Sequence, residues 1–160
     1  MDTNIIDIEE HLGTLVRACI DVEAKVILEL GVRTGNSTRA FLAVAKTLDA
    51  KVISVDIADC SHVANSDRWF FVQMDDLKFE IDGPVDILFI DTSHEYEQTL
   101  KELERFSPKV RKGGKILLHD TVSCPGVLLA VNSYLDEHPG EFIFTNHDNC
   151  NGLGVLCKLV

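Results

Sequence analysis

Residues 26–38 read VILELGVRTGNST and decide the fold of the chain. Val26–Leu30 is a short apolar run that contains one acid, Glu29, and such a run is typical of a buried strand. Gly31 and Gly35 bracket the turn that follows, and an amphipathic segment begins after it. A strand that turns through glycines into a helix leaves backbone N–H groups directed at a polar or anionic ligand. Because Glu29 is less typical of phosphate binding, the stretch predicts a ligand that also carries positive charge.

The composition predicts a single globular domain over residues 1–160. Hydrophobic residues make up 46% of the chain, enough to form a core. The chain has 15 Lys and Arg against 26 Asp and Glu, and the net charge of −11 argues against binding to nucleic acid or to anionic membranes. No apolar run is long enough to span a membrane and the N-terminus is acidic, so we expect a cytoplasmic protein. The five cysteines form no CxxC pair, which indicates neither a disulfide framework nor a zinc knuckle.

Strand and helix patterns alternate along the chain. A helix is predicted in the N-terminal region 1–22, and two strands with a hairpin-like join are predicted at the C-terminus. This alternation predicts an α/β fold: a Rossmann-like, doubly wound, seven-stranded, mostly parallel sheet with an antiparallel C-terminal hairpin. The predicted strands are residues 26–30, 51–56, 70–74, 85–91, 115–120, 141–145 and 154–159, and the later helices are residues 38–48, 95–106 and a helix through 127–135.

Acidic residues lie at the ends of the predicted parallel strands. Asp56, Asp91 and Asp120 each end a strand, and Asp75 and Asp76 follow another. In a doubly wound sheet the ligand lies beyond the carboxyl ends of the strands, near the point where the strand order reverses. Because an unpaired acid is costly in a core, this row of acids indicates a site for a polar, partly cationic ligand.

Three segments together resemble the class I S-adenosylmethionine-dependent methyltransferases. They are ELGVRTGNST (29–38), IDTSHEY (90–96) and KGGKILLHD (112–120). Within that class they look most like the small O-methyltransferase-like group, the methyltransferase family 24-like proteins. The resemblance extends over essentially the whole chain, including the C-terminal hairpin. It implies a transferase of one-carbon groups that binds S-adenosyl-L-methionine.

The resemblance implies contacts with the methionine end of this cofactor, and the residue types are chemically suitable. Glu29 and Asp91 would offset the positive charges of the sulfonium and ammonium groups. The N–H groups after Gly31 and the Ser37 hydroxyl would bind the carboxylate.

The nucleoside end has its own implied contacts. Asp56, at the end of the second strand, would accept hydrogen bonds from the ribose hydroxyls. Asp75 or Asp76 would accept from the adenine amino group, and both remain candidates. The implied cofactor-binding residues are Glu29, Gly31, Gly35, Ser37, Asp56, Asp75, Asp76 and Asp91.

A second group of residues is expected on the acceptor side. Asp91 and Asp120 end neighbouring strands and His94 follows Asp91 closely, so these three side chains are predicted to converge. They are suitable ligands for a divalent cation such as Mg²⁺, which related enzymes use to acidify the acceptor hydroxyl. Without an ion, His94 would itself accept the proton, and activity would fall below about pH 6 as it protonates. The alternative, in which His94 caps a helix and His119 packs beside the sheet, stays open. The predicted catalytic residues are His94, His119 and Asp120, and the predicted metal ligands are Asp91, His94 and Asp120.

The sequence therefore predicts methyl transfer to a hydroxyl of a small molecule, such as a sugar or another polyol. One alternative is an NAD-dependent Rossmann oxidoreductase, which is disfavoured because Arg33 replaces the middle glycine of the turn and because the C-terminal hairpin is present. Another is a non-catalytic domain that only binds the cofactor. Since the sequence contains no inserted lid, the acceptor site is expected to be open or completed by a second copy in a homo-oligomer.

Overall fold

The computed structural model describes residues 8–160, in which helices and strands alternate as the sequence predicts. Ile5 and the rest of the predicted N-terminal helix before residue 8 lie outside the described residues. None of the helices in this part of the chain is both long and apolar enough to cross a bilayer. The helices are α1 (Leu12–Asp21), α2 (Asn36–Leu48), α3 (Tyr96–Phe106) and α4 (Pro125–Glu137), with short 3₁₀ helices at Glu9–His11, Asp76–Lys78 and Ser107–Lys109. The strands are β1 (Val26–Leu30), β2 (Lys51–Asp56), β3 (Trp69–Gln73), β4 (Val85–Ile90), β5 (Val110–His119), β6 (Phe142–His147) and β7 (Leu153–Lys158).

The strands of residues 8–160 form one seven-stranded sheet in the order β3-β2-β1-β4-β5-β7-β6. The first five strands of this order are parallel, and β7 runs antiparallel between β5 and β6. The strand order reverses at β1, which pairs with β2 on one side and β4 on the other. The predicted fold class is confirmed.

Alternation along β1 divides the core between the two faces of the sheet. Ile27 belongs to the buried cluster that includes Phe41 of α2, whereas Leu28 belongs to the cluster that includes Leu103 of α3. Successive side chains of a strand point to opposite faces. Glu29 therefore lies on the same face as Ile27, beneath α2.

The structure corrects the predicted start of β5. This strand begins at Val110 rather than Lys115, and the glycine pair Gly113–Gly114 lies inside it. A Cβ on Gly114 would lie 2.8 Å from the carbonyl oxygen of Asp86 in β4. The glycine therefore permits a close approach of two backbones rather than a turn.

Two aromatic residues lie at the first positions of their elements. Tyr96, the first residue of α3, is 38% exposed. Trp69, one residue before the predicted third strand, is the first residue of β3, and its indole N–H donates to Ser54 Oγ at 2.9 Å. Trp69 thus takes part in the sheet.

Candidate active site

A cavity of about 510 Å³ opens beyond the carboxyl ends of β1, β2 and β4. This is the edge of the sheet where the strand order reverses, the usual ligand site of doubly wound folds. Six of the predicted site residues line it: Gly31, Asp56, Asp75, Asp76, Asp91 and His94. The remaining lining residues are Val32, Arg33, Val55, Ile57, Met74, Thr92, Ser93 and Gln98.

The glycine turn forms the floor of the cavity at β1. Gly31 has a φ of +89°, and its amide donates to the carbonyl of Val55 at 2.9 Å, which ties the turn to β2. Gly35, with a φ of +77°, is the N-cap of α2, and a Cβ there would lie 2.8 Å from the Val63 side chain. Gly35 is absent from the cavity lining and shapes the turn from behind.

Glu29 is fully buried and does not line the cavity. Its carboxylate accepts hydrogen bonds from Ser37 Oγ (2.6 Å), Thr38 Oγ1 (2.7 Å) and Ser54 Oγ (2.6 Å). Burial raises the pKa of Glu29 to about 7, although the three hydroxyls act in the opposite direction. In this structure the strand turns Glu29 toward α2 and the Ser37 hydroxyl donates to it, so the contact of these two residues with the ligand stays a prediction that the geometry does not support.

Asp56 lines the cavity and holds the glycine turn in place. Its Oδ2 accepts from the amides of Val32 (2.7 Å) and Arg33 (3.2 Å), and its Oδ1 accepts from the amide of Ala58 (2.8 Å). These are the amides after Gly31 that were expected to bind the ligand carboxylate. A carboxylate has about four acceptor positions, so Asp56 keeps roughly one for a ligand hydroxyl.

Asp75 and Asp76 both line the cavity but are held differently. Asp75 caps the 3₁₀ helix by accepting from the amide of Leu77 at 3.1 Å, and it lies 3.3 Å from Lys78 Nζ. Asp76 is 8% exposed and accepts from Gln98 Nε2 at 2.9 Å. Asp75 is thus engaged by its own turn, whereas Asp76 is held from α3.

The structure brings Asp91, His94 and Asp120 together at the ends of β4 and β5. His94 Nε2 lies 2.9 Å from Asp91 Oδ1 and 3.0 Å from Asp120 Oδ2. His119 Nδ1 lies 3.7 Å and 3.3 Å from the same two oxygens. Ser123 Oγ donates to the other oxygen of Asp120 at 2.6 Å. Two imidazoles and two carboxylates therefore form one compact cluster.

Only part of this cluster reaches the cavity. Asp91 and His94 line it, whereas Asp120 and His119 stand behind them, with side chains 8% and 2% exposed. The catalytic role predicted for His119 and Asp120 stays a prediction, and their burial favours an indirect one. The buried ring of His119 lies against the carboxylates and positions them.

The cluster shifts the pKa values of its members strongly. Hydrogen bonds to Asp120 and Asp91 raise the pKa of His94 to about 10. Burial lowers the pKa of His119, but the same two carboxylates outweigh it and raise the value to about 10. Burial disfavours the charged forms of Asp120 and Asp91, yet the imidazoles hold both pKa values below the usual range. Both histidines are therefore protonated at neutral pH, unlike the near-neutral base that the sequence predicts for His94.

Two members of the cluster have an unusual backbone. His94 and Asp120 both have a φ of +62°, in the left-handed region that residues with a Cβ rarely adopt. The loop of His94 also rests on the first turn of α4, where a Cβ on Gly126 would lie 2.9 Å from the carbonyl oxygen of His94. Packing and ion pairs therefore hold these two side chains in a strained arrangement.

The cluster offers ligand atoms for a cation in two overlapping sets. Ligand atoms within 4.8 Å of one another occur in the set Asp91, His119 and Asp120, and in the set His94, Asp120 and Cys124. The predicted triad of Asp91, His94 and Asp120 is divided between the two sets. Carboxylate oxygens at this separation can share one ion, because Mg²⁺ and Ca²⁺ ligands lie about 2.0–2.6 Å from the metal.

Sequence reasoning missed Thr92, Gln98 and Glu102. Thr92 and Gln98 line the cavity, and both donate to the buried carboxyl of Glu102, at 2.7 Å and 3.0 Å. The spacing of Gln98 and Glu102, one helical turn apart, could have indicated a shared polar face. Nothing local signalled that a glutamate would be buried there.

Comparison with known proteins shows which family the domain belongs to. A family model described as a methyltransferase domain matches residues 28–121, which run from β1 through β5. No protein with a curated description matches the chain significantly.

Solved structures with the same fold include methyltransferases of several kinds. The N-methyltransferase NodS from Bradyrhizobium japonicum, in complex with S-adenosyl-L-homocysteine, has a TM-score of 0.72 and 13% identity over 98% of this chain and 89% of that chain. The TDP-rhamnose 3′-O-methyltransferase CalS11 of calicheamicin biosynthesis has a TM-score of 0.72 and 17% identity over 98% and 80% of the two chains. MycE from the mycinamycin pathway, in complex with Mg and S-adenosyl-L-homocysteine, has a TM-score of 0.70 and 23% identity over 95% and 49%. At identities this low, the comparison shows that these proteins share the fold of the chain.

Proposed function

Because the chain belongs to the methyltransferase domain family whose model matches residues 28–121, we propose that it transfers a methyl group from S-adenosylmethionine to a hydroxyl oxygen of a small molecule. The observation that carries the proposal is the cavity at the strand-order reversal, with the charged cluster of Asp91, His94 and Asp120 at one wall. Residues 1–160 would form one domain for this reaction. In support, His11 Nε2 near the start of the described chain lies 2.9 Å from the carbonyl oxygen of Asn149 near its end.

The cavity suits the two ends of S-adenosylmethionine. Asp91 provides a carboxylate at the end of β4, where it would face the sulfonium and ammonium charges. Asp56 has an acceptor position for a ribose hydroxyl. Ile57 and Met74, 77% and 39% exposed at the cavity, offer apolar surface for the faces of a base. The complexes of NodS and MycE with S-adenosyl-L-homocysteine support the same class of ligand.

The charged cluster suits an acceptor that must lose a proton. In methyl transfer to oxygen, an O–C bond forms as the S–C bond breaks, and the hydroxyl proton passes to a base. His94 is the imidazole of the cluster that lines the cavity, so one of its ring nitrogens would take this proton. Since Asp91 and Asp120 hold His94 protonated at neutral pH, it must first release its own proton, and transfer should become faster as the pH rises.

A divalent cation is the alternative to direct proton transfer. The carboxylates of Asp91 and Asp120 are hard oxygen donors at a compatible separation, and His94 adds a nitrogen, so the donor set fits Mg²⁺ or a similar ion. Such an ion, when bound, would lower the pKa of the acceptor hydroxyl. His94 would then have to give up the proton that it now shares between the carboxylates.

The acceptor class rests on the chemistry of the cluster. A sugar or other polyol is favoured because a hydroxyl requires the base that the cluster provides, and CalS11 is an O-methyltransferase of a sugar nucleotide. An amine acceptor, as the name of NodS implies for that protein, needs less help with deprotonation. Mass spectrometry of products from paired hydroxyl and amine acceptors tests this choice, and methylation of amines alone would overturn it.

A second copy of the chain would complete the acceptor side. Val122, in the loop after β5, and Leu129, on α4, are 50% and 57% exposed. Apolar side chains at such positions are suited to contact between subunits. Light scattering during gel filtration measures the mass, and a monomer that remains active would contradict this proposal.

Calorimetric titration is the direct test of the function. We expect S-adenosylmethionine and S-adenosylhomocysteine to bind at low- to mid-micromolar strength, roughly −6 to −8 kcal/mol, and NAD not to bind. Repeating the titrations and the turnover assay with Mg²⁺ and with a chelator separates the two acceptor mechanisms. Heat with NAD but with neither S-adenosyl compound would overturn the assignment in favour of an oxidoreductase.

A further inference from the structure

Glu102 is a carboxyl group buried directly beneath the cavity. It lies on α3 with no exposed surface, although glutamate is almost never fully buried without partners. Its partners Thr92, Gln98 and Asp76 all line the cavity. Glu102 therefore cannot touch a ligand but contacts three residues that can.

The hydrogen bonds of Glu102 use one of its two oxygens and leave the other without a partner among the described residues. Its Oε1 accepts from Thr92 Oγ1 at 2.7 Å and from Gln98 Nε2 at 3.0 Å. Its Oε2 is buried, and no donor among residues 8–160 reaches it. Burial and the hydrogen bond to Asp76 raise the pKa of Glu102 to about 9. Since two neighbouring carboxyls cannot both ionise without strong repulsion, we infer that Glu102 carries a proton on Oε2, the oxygen left without a partner in this part of the chain, and that this proton is available to Asp76.

This arrangement also fixes the amide of Gln98. Both of its N–H groups are used, because Nε2 donates to Asp76 Oδ1 at 2.9 Å and to Glu102 Oε1 at 3.0 Å. A rotated amide would place its carbonyl oxygen against the Asp76 carboxylate. The atom that Gln98 leaves for the cavity is therefore its carbonyl oxygen. Asp76 and Gln98 together offer acceptors and no donor.

We propose that Glu102 is a positioning residue: by donating to Asp76 and accepting from Gln98 and Thr92, it fixes an acceptor-only wall that selects ligands whose base carries an amino group. The inference rests on the proposed function, since the ligand is then S-adenosylmethionine or its product. Adenine places a 6-amino donor where hypoxanthine has a carbonyl oxygen. A site built to accept a hydrogen bond rejects an analogue that leaves its acceptors unpaired.

The test is the ratio of dissociation constants for S-inosylhomocysteine and S-adenosylhomocysteine, measured by calorimetry at neutral pH. We expect the wild type to prefer the adenosyl compound by roughly tenfold or more. Glu102→Gln should keep this ratio within about threefold, because its amide can donate to Asp76 and accept from Thr92. Glu102→Ala should reduce the ratio by roughly tenfold. Glu104→Gln, the same change on the exposed side of α3, is the matched control and should leave the ratio unchanged.

Several outcomes would overturn the inference. An unchanged ratio in a folded Glu102→Ala variant would show that the wall does not depend on Glu102. A collapsed ratio in Glu102→Gln would mean that the ionised carboxylate is required. If Glu102→Ala does not fold, Gln98→Met is tested in its place, because Gln98 is half-buried at the cavity. This variant should lower the ratio of dissociation constants to the same degree. An unchanged ratio in Gln98→Met would also overturn the inference. If the wild type binds neither compound, the proposed function itself fails, which is a separate result.

Discussion

Gly31 and Asp91 lie against each other where β1 and β4 end. A Cβ on residue 31 would lie 2.7 Å from the carbonyl carbon of Asp91 and closer still to its oxygen. The amide of Asp91 donates to the carbonyl of Leu30 at 2.9 Å, so the two strand ends are also joined by a hydrogen bond. This contact sets the position of Asp91, and with it that of His94, relative to the glycine turn.

Gly31→Ala should therefore destabilise the fold and abolish ligand binding. The added methyl overlaps backbone that cannot move freely, and the φ of +89° is strained for alanine, so the loss should exceed about 3 kcal/mol. Urea denaturation measures it. Gly13→Ala is the control: Gly13 is exposed on α1 with nothing near its Cβ position, and alanine there should stabilise by about 0.5–1 kcal/mol. Equal stability of the two variants would contradict the close contact.

Replacement of Glu29 should affect stability rather than affinity. Glu29→Ala leaves the hydroxyls of Ser37, Thr38 and Ser54 without their shared acceptor and should cost about 2–4 kcal/mol of unfolding free energy. Glu29→Gln should cost less, because an amide oxygen can still accept. Chemical denaturation and calorimetry on the same preparations separate the effects. A stable Glu29→Gln variant that no longer binds S-adenosylhomocysteine would show instead that Glu29 contacts the ligand.

Asp56→Ala should weaken both binding and folding. Loss of the ribose acceptor should reduce affinity for S-adenosylhomocysteine by about 1.5–3 kcal/mol. The fold would also lose about 1–2 kcal/mol, because three backbone amides in two loops lose their acceptor. Asp59→Asn, in the same loop but fully exposed, is the control. An unchanged affinity in Asp56→Ala would place the ribose contact elsewhere.

His94→Gln should remove most of the activity while leaving cofactor binding nearly intact. Loss of a positioned base costs roughly 10²–10⁴-fold in rate, whereas the affinity for S-adenosylhomocysteine should change by less than about threefold, or under 1 kcal/mol. Steady-state kinetics and calorimetry measure the two quantities. His138→Gln, which changes a histidine paired with Glu141 outside the cavity lining, should behave like the wild type. A fully active His94→Gln enzyme would exclude His94 from the chemistry.

Stability should decrease as the pH rises above neutrality. The folded-state pKa of His94 and of His119 is about 10, above the ordinary 6.5. Their stabilising contribution is therefore complete below about pH 6.5 and is lost as the pH rises through about 10. The urea midpoint of the wild type should be lower at about pH 9.5 than at about pH 7. The control His62→Gln changes an exposed histidine in the loop after β2 and should show the same decrease, whereas His94→Gln should show a smaller one. The same pH dependence in all three proteins would speak against the ion pairs.

Much of the fold could be predicted because its signals are local. The apolar run Val26–Leu30 and the glycines after it specify a strand and a turn without help from distant residues. The start of β5 could not be predicted in this way. Gly114 reads as a turn residue, and only the neighbouring backbone at Asp86 explains why it lies inside a strand.

The candidate site could likewise be predicted where its signals are local, and not where they depend on distant residues. Asp91 and Asp120 could be placed together because each ends a strand, and strand ends meet at one edge of the sheet. The protonation of His94 could not be foreseen, since it depends on a carboxylate 26 residues away that reaches the same nitrogen. The burial of Glu102 also depends on how α3 packs over β4, which no short pattern encodes.

The left-handed backbone at His94 and Asp120 has a consequence for engineering. Glycine would adopt a φ of +62° at no steric cost, and asparagine at less cost than most residues. At each position the backbone strain that glycine would relieve, about 1–3 kcal/mol, is set against the ion pairs between His94 and the two carboxylates that would be lost. Directed evolution of a more robust catalyst from this chain needs to select for turnover and thermal tolerance together, with both codons held fixed.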